Sequence, residues 1–195
     1  GRIEEGSGTD HDYELMSPNQ LHSSHINTIP LQSAVQSTRL FYGNRFLDQA
    51  VPVVGSEQPL VQNLADGDPQ GRSFDELAGD WVGALRAPHE GTVKSVSPEH
   101  IELEGPDGVS KVALYRDMPF NRKTGISHRP VVKPGDKVEK DGLIAASNYT
   151  DDKGTMAMGL NARIGLVPFK GFSMDDATVI SANFARRLRS EHTYT

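Results

Sequence analysis

The chain has 195 residues, 36% of them hydrophobic and 24% charged, enough to bury one ordinary core or two small ones. The absence of cysteine excludes a disulfide framework and a thiolate metal site, and no apolar run approaches the roughly 20 residues a membrane span needs. A net charge of −6 argues against a free-standing nucleic-acid binder, because phosphate affinity is built mainly from Lys and Arg; any such contact must be local, with positive field from other chains.

Residues 1–28 are rich in Gly, Ser, Asp and His without a sustained period, which predicts a flexible N-terminal segment. Gly1-Arg2-Ile3, with no initiator Met and no signal pattern, reads as a cut or processed end. A helix-rich segment is expected over 29–62. Pro30 can open a turn, Leu31, Val35, Leu40 and Phe41 follow at near-helical spacing, and Gly43 is expected to stop the helix. A second short segment, Arg45 to Ala50, leads into Val51-Pro52-Val53-Val54, which Pro52 restricts to an edge strand or connector. Residues 63–80 read as a turn-rich linker.

Over 81–155, brief β-prone pieces alternate with Gly, Pro and Asp turns: Trp81 to Leu85, Gly91 to Val96, Ile101 to Leu103, Lys111 to Tyr115, Val131-Val132, Lys137-Val138 and Leu143 to Ala146. Strands this short indicate a barrel or sandwich. Pro134-Gly135-Asp136 and Asp141-Gly142 supply tight turns around Val138, a unit found in barrel-sandwich hybrid folds. Further on, Ile164 to Phe169 reads as a buried strand, a strand or helix is expected to begin at Asp175-Asp176, and Asn183 to Ser190 as a basic helix. The fold class expected is mainly β with short helices (α+β).

Three stretches in fixed order resemble the β subunit of multisubunit DNA-directed RNA polymerases. The first runs from Ile29-Pro30 through Arg39 and Gly43 to Gln49-Ala50-Val51-Pro52. The second is Gly125-Ile126-Ser127-His128-Arg129-Pro130 with Gly135-Asp136, similar to the family's Cys-Ile-Asn-Gln-Arg-Pro stretch. The third comprises Ala157-Met158-Gly159, Asn161, Pro168, Gly171-Phe172 and Asp175-Asp176-Ala177, resembling Ala-Leu-Gly-x-Asn, Pro-Trp-x-Gly-Tyr and Glu-Asp-Ala. Tyr13 and Ser17-Pro18 also sit where the family has similar residues, so the likeness spans about residues 13–195.

The resemblance implies a barrel-sandwich-like module over 81–155 and, over 156–195, the first half of a double-psi β-barrel completed downstream. It implies a β-type subunit that helps position the incoming NTP, Mg2+ and the RNA 3′ end for nucleotidyl transfer, chemistry that rests on two metal ions and on cations that hold the phosphates in line. Asp175 and Asp176 match the family's Glu-Asp pair and are the implied catalytic residues, with Asp176 approaching the second Mg2+ indirectly. Arg39 matches the family Arg on the nucleotide triphosphate, and Gln49 a Gln near the RNA 3′ end. Most of the Mg2+ coordination belongs to a partner β′-type subunit. The other implied partners are the remaining β-type portions, DNA template, RNA transcript and NTPs, in a cytoplasmic setting without membrane, and this chain alone is expected to be inactive.

Read without the resemblance, Asp175-Asp176 is a solvated turn or a helix N-cap, Arg39 a helix-end residue favoured by the dipole, and Gln49 a structural amide. Arg45, Asp48, Gln36 and Thr38 stand where the family usually has Asn, Arg, Asp and Asn, and Asp175 shortens a Glu. This drift suggests a viral polymerase of the giant-phage type, which could be packaged in the virion. His11, His22, His25, His89, His100, His128 and His192 show no metal-ligand spacing. The competing reading is a non-catalytic lipoyl-like carrier or adaptor, but Lys94, Lys133 and Lys140 lack the apolar neighbours of a modified lysine.

Overall fold

The computed structural model describes residues 7, 12, 13, 15, 17–120, 124–172, 175–190 and 192. Part of the segment expected to be flexible (residues 1–6, 8–11, 14 and 16) lies outside them. Residues 17–28 are tied down: Ser17 Oγ donates to Asp66 Oδ2 at 2.6 Å, and Asn63 Nδ2 donates to the Asn27 carbonyl at 2.8 Å. Ser23 caps the single turn of α1 (Ser24–Asn27), which buries Ile26 and Asn27.

Helix α2 spans Ser37–Asp48 and runs through Gly43, so the expected stop is not there, and the two short segments are one helix. Burial explains the glycine better than termination does. A Cβ at position 43 would stand 3.2 Å from Ile29 Cδ1, so the missing side chain lets Ile29 close on the helix. Helix α3 (Phe74–Trp81) occupies the end of the stretch read as a linker. Its signal is Ser73-x-x-Glu76, a reciprocal capping box in which Ser73 Oγ accepts from the Glu76 amide at 3.0 Å and Glu76 Oε2 accepts from the Ser73 amide at 2.7 Å. Trp81 therefore ends a helix instead of opening a strand, and is 61% exposed.

Among the described residues nine short strands follow: β1 (Leu85–Arg86), β2 (Gly91–Val96), β3 (His100–Gly105), β4 (Gly108–Ala113), β5 (Met118–Phe120), β6 (Thr124–Ile126), β7 (His128–Pro130), β8 (Lys137–Val138) and β9 (Leu143–Ser147). They form a four-stranded antiparallel sheet ordered β4-β3-β2-β8, a three-stranded one ordered β1-β9-β7, and the hairpin β5-β6. Both expected turns are present. Lys133 N–H donates to Asp136 Oδ2 at 2.7 Å, and Gly142 N–H donates to the Glu139 carbonyl at 3.0 Å.

Val93, Ile101 and Leu103 from the larger sheet and Ile144 and Ala145 from β9 share one buried cluster with Ala87 and Leu114. At roughly 25 cal/mol per Å² of apolar area, each buried Val, Leu or Ile of the cluster stabilises by about 1.5–3 kcal/mol. The molecule is thus mainly β with a few short helices, as expected.

From Leu160 to Ile180 the described chain carries no strand, and Ile164 and Leu166 are 84% and 96% exposed. The expected buried strand over Ile164 to Phe169 is not formed: none of these residues belongs to a strand, and Ile164 and Leu166 lie open to solvent. The expected basic helix is α4 (Ala182–Arg187), capped by Ser181.

Candidate functional site

The first and third stretches singled out in the sequence meet around Glu57. Its amide donates to the Gly159 carbonyl at 2.8 Å, and its Oε2 accepts from the Asn161 amide at 3.0 Å and from Asn161 Nδ2 at 3.1 Å. Oε1 pairs with the Arg187 guanidinium of α4. The Asn161 amide, and then Arg187, hold the Glu57 carboxyl below the usual range for a glutamate, so the clamp is ionised at neutral pH. Alongside, Val53 N–H donates to the Met158 carbonyl at 3.0 Å, and Val54 N–H to that of Arg189 at 2.6 Å. Pro52 also faces the second stretch, across a cleft of about 380 Å³ whose other wall carries Arg129 and Asp152, themselves an ion pair.

A second cleft of about 540 Å³ lies between α2 and the 156–161 strip, lined by Ile29, Phe46, Leu47, Met158 and Asp75 among others. Asp75 is 1% exposed, and its Oδ2 is the one buried side-chain oxygen or nitrogen among the described residues without a hydrogen-bond partner. Burial pushes its carboxyl up to about 6. Neither Glu57 nor Asp75 was singled out from the sequence. The capping box would have placed Asp75 in the first turn of a helix, but nothing local marks Glu57, whose partners lie about a hundred residues away.

Arg39 is the third residue of α2 and exposed, and its guanidinium makes no ion pair or hydrogen bond among the described residues. This removes the dipole explanation, since a cation at a helix N-terminus is disfavoured by about 0.3–1 kcal/mol. The first turn has no acidic residue, and the Gln36 side chain caps none of its amides. Gln49 is the exposed C-cap of the same helix. Asp48 pairs with His25 at 2.8 Å.

Asp175 and Asp176 lie in an exposed turn with φ of 55° and 66°, so neither opens the strand or helix expected there. Asp tolerates this left-handed region better than most residues because its short polar side chain can hydrogen-bond to nearby backbone. No hydrogen bond or ion pair among the described residues joins either aspartate to Arg39 or Gln49. No group of three or more His, Asp and Glu among the described residues could hold a metal ion. His128 is half-buried and held below its usual pKa by burial, with Nδ1 accepting from the Tyr115 amide at 2.9 Å. Lys140 is exposed in the turn before β9, between Glu139 and Asp141. No helix among the described residues is long and apolar enough to cross a membrane.

The family RNA polymerase Rpb2, domain 6, matches residues 89–193. Over all of its length the chain is 30% identical to the DNA-directed RNA polymerase subunit beta of Desulforapulum autotrophicum, of which it covers 14%. Over 94% of the chain it is 30% identical to that of Aquifex aeolicus and 31% to that of Synechococcus elongatus, covering 12% and 16% of those proteins. The chain thus spans less than a fifth of the length of these curated relatives. A family match over more than half of the sequence, together with likeness to β subunits along all of it, means that the chain belongs to the RNA polymerase Rpb2, domain 6, family, on its β-subunit branch.

Proposed function

We propose that this chain serves as β-type polypeptide of a DNA-directed RNA polymerase, helping to position the incoming NTP, Mg2+ and the RNA 3′ end beside a β′-type partner. The observation that carries this reading is the face of α2. Arg39 and Gln49, ten residues and about 15 Å apart along the helix axis, both project from its exposed side. Arg39 stands over an uncapped helix N-terminus without a carboxylate, a setting that suits phosphate oxygens: the guanidinium donates in a planar fork and the free amides add partial positive charge. Gln49 can donate to and accept from a ribose or phosphate edge without adding charge.

In this reading Asp175 and Asp176 are the catalytic carboxylates, with Asp176 reaching the second Mg2+ through water while other chains supply the remaining ligands. When bound, Mg2+ would neutralise triphosphate charge and activate the 3′ hydroxyl. The sheets would form a barrel-sandwich-like module, and the segment from Met156 half of a double-psi β-barrel. The exposure of Ile164 and Leu166, large apolar side chains in a β-prone run, supports the latter.

The test is Arg39→Ala in the reconstituted polymerase assembly. Loss of a charge-assisted contact to phosphate should raise the KM for NTP about tenfold or more, with assembly unchanged. An unchanged KM would retire the role of Arg39, and an acyl or biotinyl adduct on Lys140 would favour the carrier reading instead.

A further inference from the structure

The cleft between α2 and the 156–161 strip is built around a charge that it does not neutralise. It encloses about 540 Å³, and Ile29, Phe46, Val61, Met156 and Met158 give it apolar walls. The described residues that line it include two carboxylates, Glu57 and Asp75, and no Lys, Arg or His. Glu57 is satisfied, since Oε2 accepts from Asn161 and Oε1 pairs with Arg187. Asp75 is not: the residue is 1% exposed, and its Oδ2 has no hydrogen-bond partner among the described residues. With its carboxyl raised to about 6, the group still carries its charge in most molecules at neutral pH. The nearby charge that acts on it is that of Glu76, of like sign. An ionised carboxylate buried without a cation is a costly arrangement, and a donor brought by another molecule removes most of that cost.

Three properties select the occupant. One buried oxygen is free, so a single-point donor completes the site, and an ammonium matches it better than a guanidinium, whose planar fork is fully used only against two oxygens. That oxygen is closed off from water, so the charge must arrive on a slender apolar stem, which is what the lysine side chain is. Met156 and Met158 are unbranched and adaptable, the kind of side chain that parts to admit such a stem at small cost. A bare inorganic cation would bring neither the stem nor enough ligands, because no group of three or more ligating side chains occurs among the described residues.

We infer that this cleft is the socket for a lysine side chain from another polypeptide of the polymerase, its stem against the two methionines and its ammonium donating to Asp75 Oδ2. This rests on the reading of the chain as one part of a multisubunit assembly. It adds a contact that holds the assembly together and that the roles of Arg39, Gln49 and Asp176 do not require.

The probe is n-butylammonium, the lysine side chain without its backbone, with 1-butanol as its neutral counterpart. In the isolated chain carrying 13C-labelled methionine methyl groups, butylammonium should shift the Met156 and Met158 signals saturably, and butanol should bind about tenfold more weakly. Asp75→Asn should lower the affinity for butylammonium to that for butanol. In the reconstituted assembly the lysine fills the cleft, so butylammonium should leave both signals unmoved, and Asp75→Asn should speed dissociation of the chain from its partners about tenfold. Equal binding of amine and alcohol overturns the inference. So do methionine signals that butylammonium still shifts in the assembly, or a dissociation rate that Asp75→Asn leaves unchanged. The wild-type measurements need no variant, so they decide the matter even if the asparagine protein fails to assemble. An assembly that extends RNA while its cleft stays open to butylammonium removes the socket and leaves the polymerase reading standing. Shielded methionines and faster dissociation of Asp75→Asn, in an assembly that extends no RNA, do the reverse.

Discussion

Replacing Asp75 with Asn removes one ionisation from the interior while preserving shape. The wild-type carboxyl is almost fully buried, one of its oxygens has no partner, and its pKa is raised from 3.8 to about 6, chiefly by burial and further by the charge of Glu76. A shift of about two units at roughly 1.36 kcal/mol each sets a ceiling of about 3 kcal/mol, and local relaxation and water entry bring the expected effect to about 2 kcal/mol. Because the folded state holds the proton more tightly than the unfolded chain, it binds more protons between the two pKa values. Stability therefore falls as pH rises from about 4 to about 6 and is flat above. Asn has no such window. At pH 7 its gain from losing the buried charge is offset by an amide that must find partners, at about 1–3 kcal/mol, so the slope and not the absolute stability is diagnostic. Urea unfolding of both proteins across pH 4 to 7 measures it. Asp68, held down to about 2 by Arg72, and Glu57 titrate identically in both and cancel in the difference. Equal slopes in wild type and variant would refute the argument that burial controls Asp75.

Two further substitutions test how the segments are joined. Gly79→Ala would place a Cβ 1.8 Å from the Gly154 carbonyl oxygen, so α3 must move off the chain before Met156; thermal melting should show a loss of about 3 kcal/mol. Glu57→Ala removes the acceptor shared by Asn161 and Arg187, and hydrogen exchange at Asn161 should accelerate while β2 and β3 stay protected. Since the Glu57 pKa is lowered, the wild-type clamp is complete above the ordinary glutamate pKa and weakens as pH falls through and below it, so the two proteins should converge in acid.

Several strands and both turns of 81–155 were legible because their cues are local, whereas the strand expected at Val131-Val132 is not formed and β5, β6 and β7 were not foreseen. Alternating β-branched residues, Pro134-Gly135-Asp136 and Asp141-Gly142 act over a few residues, and β2, β8 and β9 fall where the pattern put them. Family membership was legible for a similar reason, since ordered motifs survive in linear form. Reading Gly43 as a stop failed because its reason is Ile29 packing across the helix, a contact invisible along the chain. Reading Ile164 to Phe169 as buried failed because hydrophobicity measures what a segment can bury, not what the fold covers, and Ile164 and Leu166 stay exposed.

The site divides the same way. The family resemblance in the sequence named Arg39, Gln49, Asp175 and Asp176 for phosphate, RNA end and metal. Only the tertiary structure showed that Arg39 begins a helix where the dipole disfavours it. It alone joined Glu57 to Asn161 and Arg187, and it left an unpartnered carboxylate oxygen inside the protein. Residue chemistry is written one position at a time, whereas burial, pairing and field depend on what the fold brings within a few ångströms.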